Sequence, residues 1–163
     1  MQPAIRPVVK LFKVQLSRWR LVRDLGIHLL DVTAKSGNPA FAPRFDDVMA
    51  YKRGELSEEE YTRRYLQRMS ISKKRFPQEW EKLKAIHLPI AVACYCKAGV
   101  FCHRHLFVGI AADYLKDAGI DVKLMYEITS LIPPQTETPP DDPTDTRSTT
   151  PAGTAGPPRQ DRE

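Results

Sequence analysis

The fold of this chain is decided by one apolar stretch, Pro89-Ile90-Ala91-Val92-Ala93-Cys94-Tyr95-Cys96. A continuous apolar run of this length is typical of a central parallel strand that is covered on both faces. A glycine-containing loop, residues 97–101, follows it, and a helix is predicted to begin at Cys102 or His103. The stretch therefore predicts a strand, loop and helix at the centre of an α/β sheet.

The remaining elements alternate between strands and helices. β-branched and aromatic residues predict further strands at residues 8–14, 27–32 and 120–126. Ser57 followed by Glu60 has the spacing of a capping box, and Pro77 suits the first position of a helix. Further predicted helices run from Ser17 to Gly26, through Phe45 to Gly54, and up to Gly119. This order predicts an α/β fold, a small, open, mostly parallel sheet of about four strands flanked by helices.

Composition separates the chain into two parts. Residues 1–128 are predicted to form a single α/β domain, and residues 129–163 a disordered tail rich in proline and threonine. The tail holds eight of the fourteen prolines. The formal net charge of +5 divides into +8 for residues 1–128 and −3 for the tail. A basic domain favours anionic partners such as nucleotides or nucleic acid.

Two classes of protein are disfavoured by the sequence. No stretch approaches the roughly 18 consecutive apolar residues that span a bilayer, and the N-terminus lacks a signal-peptide pattern. The sequence therefore predicts a soluble cytoplasmic protein with no membrane partner. Its three cysteines are an odd number, which favours reduced thiols, a metal site or a reactive cysteine over a disulfide framework.

All three cysteines and two of the four histidines lie within residues 94–105. Ligands of open parallel sheets bind outside the carboxyl ends of the strands, where this segment lies. The helix start near Cys102 offers free backbone N–H groups to a phosphate, and Gly99 allows close approach. Arg104, Lys97 or His103 would add positive charge. The segment therefore predicts a site for a phosphate-bearing ligand, a nucleotide or nucleic acid.

A second loop leaves the predicted strand at residues 27–32. If this strand neighbours the central one, five polar side chains face one crevice: Asp31, Lys35, Cys96, Lys97 and Arg104. An enzyme with this site would be a hydrolase or transferase acting on nucleotide-like substrates. His103 would then act as acid or base, Asp31 would orient it or act as base, and Arg104 would hold phosphate with Lys97.

Two other chemistries stay open for the same segment. Cys94, Cys96, Cys102 and His103 offer four zinc ligands, but their spacing is not that of the usual zinc knuckle, so a metal site is not favoured. The competing class is non-enzymatic, a nucleic-acid-binding or metal-stabilised module. The sequence names no cofactor.

A cysteine nucleophile is the third possibility. Phosphate-loop cysteine enzymes need a cysteine and an arginine separated by five residues. Arg104 lies eight residues beyond Cys96, so the spacing fails for that class. A helix N-terminus and nearby cations still favour a lowered pKa, and therefore reactivity, at Cys96 or Cys102.

Two separated motifs carry a resemblance to a known family. The first is Cys102-His103-Arg104 with Leu106, after an apolar strand that ends in cysteine. The second is Leu29-Leu30-Asp31-Val32, followed by Ser36 and Asn38-Pro39-Ala40-Phe41. Together they resemble the domain-of-unknown-function 488 family. The resemblance covers residues 8–128. The chain departs from the family at Thr33, where an arginine often follows the aspartate-valine pair. The resemblance implies the fold and points to Asp31, Cys102, His103 and Arg104 without naming a reaction.

Overall fold

A computed structural model describes residues 8–130 of the chain. Within these residues the structure has four strands and five α-helices, and one turn of 3₁₀ helix precedes the first of them. In chain order the elements are β1 (Val8–Gln15), α1 (Trp19–Asp24), β2 (His28–Asp31), α2 (Phe45–Lys52), α3 (Glu58–Arg75), α4 (Pro77–Lys84), β3 (Ile90–Cys94), α5 (His103–Asp117) and β4 (Asp121–Ile128).

The four strands form one parallel sheet in the order β2-β3-β1-β4. This confirms the predicted α/β fold with a small open sheet flanked by helices. β1 and β2, which are joined through α1, are parallel but not neighbours, because β3 lies between them. The sequence pattern predicts the parallel crossover and leaves the strand order open.

β3 is the buried centre of the sheet, as predicted, and all five of its residues are buried. Ile90 and Val92 pack into the cluster that contains the side chains of α3, α4 and α5. Ala91 and Ala93 pack into a second cluster on the α1 side. Both faces of β3 are therefore covered, which is why its sequence is apolar without interruption. The strand ends earlier than predicted, at Cys94, and the Tyr95 side chain is exposed.

β2 lies directly beside β3, with Asp31 paired to Ala93 in register. The two strands are parallel, so their carboxyl ends lie at the same edge of the sheet. The loop from β2 to α2 and the loop from β3 to α5 therefore leave from adjacent positions. This neighbour relation, which the predicted crevice requires, is present in the structure.

Helix α3 holds the loop that follows β2. Its N-terminus is capped as predicted, with the Ser57 hydroxyl accepting from the backbone N–H of Glu60 at 3.2 Å. Further along α3, the Tyr65 hydroxyl donates to the carbonyl of residue 41 at 2.7 Å, and Nε of Arg68 donates to the carbonyl of residue 42 at 2.6 Å. The Ser72 hydroxyl donates to the carbonyl of residue 40. Three consecutive carbonyls are thus satisfied by one helix face.

Gly37 allows the same loop to turn back on itself. A Cβ atom placed there would lie 2.4 Å from the backbone nitrogen of Thr33 and 2.6 Å from its carbonyl oxygen. The backbone N–H of Gly37 donates to that carbonyl at 3.1 Å. The close approach of two backbone segments therefore requires glycine.

The predicted tail begins at residue 129, and from residue 131 onward it lies outside the described residues. Between residues 8 and 130, no helix has both the length and the apolar character that crossing a bilayer demands.

Gly37→Ala is expected to lower the free energy of unfolding by about 1–3 kcal/mol, because the added methyl group meets backbone atoms that cannot move aside cheaply. Urea denaturation of the full chain measures the change. Gly109→Ala is the matched control, since a Cβ at Gly109 in α5 meets nothing within 4 Å. Equal stability of the two variants would contradict the close approach.

Candidate functional site

The three cysteines converge at the carboxyl end of β3. Cys94 is the last residue of β3, Cys96 lies in the turn that follows, and Cys102 is the N-cap residue of α5. Their three Sγ atoms all lie within 4.8 Å of one another. The Sγ atoms of Cys94 and Cys96 are 3.9 Å apart. All three are free thiols; Cys94 and Cys102 are buried, and Cys96 is half-buried.

Arg104 fixes the loop that brings Cys102 back to Cys94. Its guanidinium is fully buried and donates to the carbonyls of Cys96 at 2.5 Å and Lys97 at 2.7 Å. The same group donates to Oε1 of Glu127 in β4 at 2.5 Å. Both terminal nitrogens of Arg104 are therefore occupied within the protein. This geometry does not support the predicted role of Arg104 in holding phosphate.

Glu127 completes this brace. Its second oxygen, Oε2, accepts a hydrogen bond from the backbone N–H of Gly99 at 3.1 Å, and Gly99 has a left-handed φ of 75°. Gly99, which was predicted to allow the close approach of a phosphate, thus already has its N–H bonded to a carboxylate. Sequence reasoning missed Glu127, because no local pattern links an acidic residue in β4 to an arginine 23 residues earlier in α5. Lys97 is exposed, and only its carbonyl takes part in the brace.

His103 is buried beside Cys102, in the first position of α5. Its Nε2 lies 2.7 Å from the carbonyl oxygen of Val32, so Nε2 carries the hydrogen and donates it. Nδ1 lies 3.5 Å from Sγ of Cys102. Burial lowers the pKa of His103 to about 4, so the ring is neutral at pH 7 and Nδ1 has a free lone pair. A neutral ring does not support the role of proton donor at that pH.

Asp31 braces the loop after β2. One carboxylate oxygen accepts from the backbone N–H of Thr33 at 2.9 Å, and the other accepts from the Ser36 hydroxyl at 3.3 Å. Among residues 8–130, no hydrogen bond joins Asp31 to His103. The predicted acid–base pair of Asp31 and His103 therefore lacks the contact that it requires.

A cavity of 210 Å³ opens beside the thiols. All three cysteines and His103 line it, together with mostly apolar side chains that include Tyr51, Tyr61 and Phe101. Lys35 also lines it and lies over the ring of Phe45, with Nζ 4.3 Å from the ring centroid. Of the five residues predicted to share a crevice, Lys35 and Cys96 line this cavity, and the other three lie outside its lining: Asp31, Lys97 and Arg104.

The thiols perturb one another strongly. Hydrogen bonds with Cys102 and Cys94 hold the pKa of Cys96 far below its usual value. The contact with Cys102 has the larger effect, and the charge of Lys52 contributes less than either. The contacts with Cys94 and Cys96, together with burial, raise the pKa of Cys102. The pKa was predicted to be lowered at Cys96 or Cys102; it is lowered at Cys96 and raised at Cys102. The first cause of the lowering at Cys96 is the neighbouring thiols rather than cations or the helix N-terminus.

Comparison with protein-family models, with curated proteins and with solved structures finds no match to this chain in any of the three. The resemblance to the domain-of-unknown-function 488 family stays a prediction.

Glu127→Gln is expected to lower the free energy of unfolding by about 3 kcal/mol, because the buried charge of Arg104 loses its partner. The amide also presents a donor to the N–H of Gly99 in place of an acceptor. Urea denaturation measures the loss. Glu55→Gln is the control, because it removes a carboxylate from an ion pair with Arg53 in which both side chains are more than half exposed. We expect no measurable change there, and a similarly small change at Glu127 would contradict the brace.

Proposed function

We propose that this chain is a metal-binding domain whose Cys94, Cys96 and Cys102 thiolates hold a divalent ion such as Zn²⁺. The observation that carries the proposal is the mutual proximity of the three sulfurs, all within 4.8 Å of one another. Two sulfur ligands at about 2.3 Å from a tetrahedral zinc ion stand about 3.8 Å apart. The Sγ atoms of Cys94 and Cys96 are 3.9 Å apart, which matches that edge.

The spacing of these residues in the sequence disfavoured a metal site, and the folded geometry supports one. Zinc knuckles place two cysteines in one turn, with two or more residues between them. Here the three sulfurs come from the end of β3, the turn after it and the N-cap of α5. Arg104 and Glu127 close the loop between them. The proximity therefore depends on long-range contacts rather than on a short motif.

His103 Nδ1 is the proposed fourth ligand. Metal-bound histidines usually donate their other ring N–H to a carbonyl or carboxylate, which fixes the ring and leaves the ligating nitrogen bare. His103 makes this arrangement with the carbonyl of Val32. Its Nδ1 is 3.5 Å from Sγ of Cys102, close to the edge of about 3.5 Å that a sulfur and a nitrogen share in a zinc tetrahedron. The ring nitrogens of His103 do not lie within 4.8 Å of all three sulfur atoms, so the ring has to shift to bind the ion.

The cavity gives such an ion access to a small molecule. Structural zinc sites are closed by four protein ligands, whereas catalytic sites keep one position open. An ion held by three thiolates alone would have an open position facing the cavity. If His103 also binds the ion, the site is closed. The predicted hydrolase or transferase activity on nucleotide-like substrates stays a prediction, as does the phosphate site at residues 96–104.

Reduced protein is expected to bind one Co²⁺ per chain, with a sulfur-to-cobalt charge-transfer band that Zn²⁺ abolishes by displacement. Each thiol that binds loses its proton to the buffer. Cys94→Ser, Cys96→Ser and Cys102→Ser should each weaken the binding and reduce the band by about one third, because one of three thiolates is lost. Absorption titration under anaerobic conditions measures the affinity for Co²⁺ and the intensity of the band.

Tyr95→Ser is the matched control, since Tyr95 lies in the same turn and its side chain is exposed. It should bind Co²⁺ as the parent does. The proposal would fail if the parent showed no charge-transfer band, or if the three cysteine variants bound cobalt like Tyr95→Ser. Loss of two titratable thiols without bound metal would indicate a disulfide instead.

A further inference from the structure

A second charged site lies on the side of α3 away from the thiols. A groove of 710 Å³ runs between α3 and residues 39–47. One carboxylate, that of Asp47, lines it. Five arginines line it as well: Arg44, Arg63, Arg64, Arg68 and Arg75. Such an excess of guanidinium groups in one concave surface favours an anionic ligand.

Only part of this charge is neutralised within the protein. Arg63 and Arg64 pair with Glu60, and Arg64 also contacts Asp47 at 2.9 Å. Within residues 8–130, Arg44, Arg68 and Arg75 have no carboxylate partner. Arg44 and Arg75 are also exposed. The groove therefore keeps three uncompensated positive charges.

Arg68 is held in place for binding. It is half-buried, and its Nε donates to the carbonyl of Ala42 at 2.6 Å. Its two terminal nitrogens make no hydrogen bond to the described part of the chain. A guanidinium fixed through Nε loses little freedom when its remaining N–H groups bind a phosphate.

The arrangement suits a chain of phosphates better than a single one. Arg64 and Arg75 are separated by eleven residues of α3, or about 16 Å at 1.5 Å per residue. The groove offers no open aromatic face, because Phe76 is half-buried and the Arg75 guanidinium lies 5.4 Å from its ring centroid. Unpaired bases need such a face for stacking, whereas contact with a phosphate backbone does not.

We propose that this arginine groove binds the phosphate backbone of duplex nucleic acid without sequence preference. The anionic partner predicted from the net charge would then bind along α3 rather than at residues 96–104. The groove shares no residue with the thiol cluster, so the proposal is independent of the metal centre.

The test is binding of the full chain to a random-sequence DNA duplex, measured by fluorescence anisotropy at a series of salt concentrations. Affinity should fall as salt rises, because phosphate contacts release counterions. The double variant Arg44→Gln/Arg75→Gln should reduce the slope of log affinity against log salt by about two. At 0.1 M salt it should lose at least about tenfold in affinity. Arg68 is left intact because it also braces the loop.

The control removes the same charge elsewhere. Lys116→Gln/Lys123→Gln changes two exposed lysines, on α5 and β4, that do not line the groove. This control variant should lose less than about threefold in affinity for the duplex. The proposal is overturned if the parent does not bind duplex, or if both double variants lose affinity equally. It is also overturned if a nucleoside triphosphate, and not duplex, binds in a way that depends on Arg44 and Arg75.

Discussion

The buried ion pair between Arg104 and Glu127 is the contact on which the rest of this site depends. Arg104 is fully buried, and a buried charge needs an opposite charge and hydrogen-bond acceptors close by. Its Nε has no partner among residues 8–130, so its two terminal nitrogens make all the hydrogen bonds of the guanidinium. These nitrogens donate to the carbonyls of Cys96 and Lys97 and to Glu127, which also accepts from the N–H of Gly99. One ion pair thus joins β4, α5 and the loop after β3. The loop that returns Cys102 to Cys94 is thereby tied to β4 and α5 at Cys96, Lys97 and Gly99.

The same contact bears on the two chemistries that the sequence left open. An anion at the predicted site would compete with Glu127 for the N–H of Gly99 and for the guanidinium of Arg104. The thiols, in contrast, contact one another and His103, and they face a cavity. A carboxylate of the protein thus already contacts Arg104 and Gly99, two residues of the predicted phosphate site. The three sulfur atoms can therefore still bind a metal ion.

Much of the fold was predictable because burial leaves a direct mark on sequence. β3 is apolar throughout since both of its faces are covered, and Ser57 and Pro77 mark helix starts by local hydrogen bonding and fixed φ. The candidate site was predictable only as a segment. Its geometry depends on Glu127, 23 residues beyond Arg104 in the chain, and no local pattern links the two. The arginine groove was hidden for a similar reason, because charges on a solvated helix face look alike until the loop at residues 39–47 packs beside them.

The central claim is that the three cysteines form one metal site, and X-ray absorption at the zinc edge of the zinc-loaded full chain tests it most directly. The account predicts three sulfur ligands at about 2.3 Å and one nitrogen at about 2.0 Å from the ion. The nitrogen should show the scattering of an imidazole ring, and that signal should disappear in His103→Ala while the sulfur shell stays. A shell of oxygen and nitrogen alone, with no sulfur, would contradict the account.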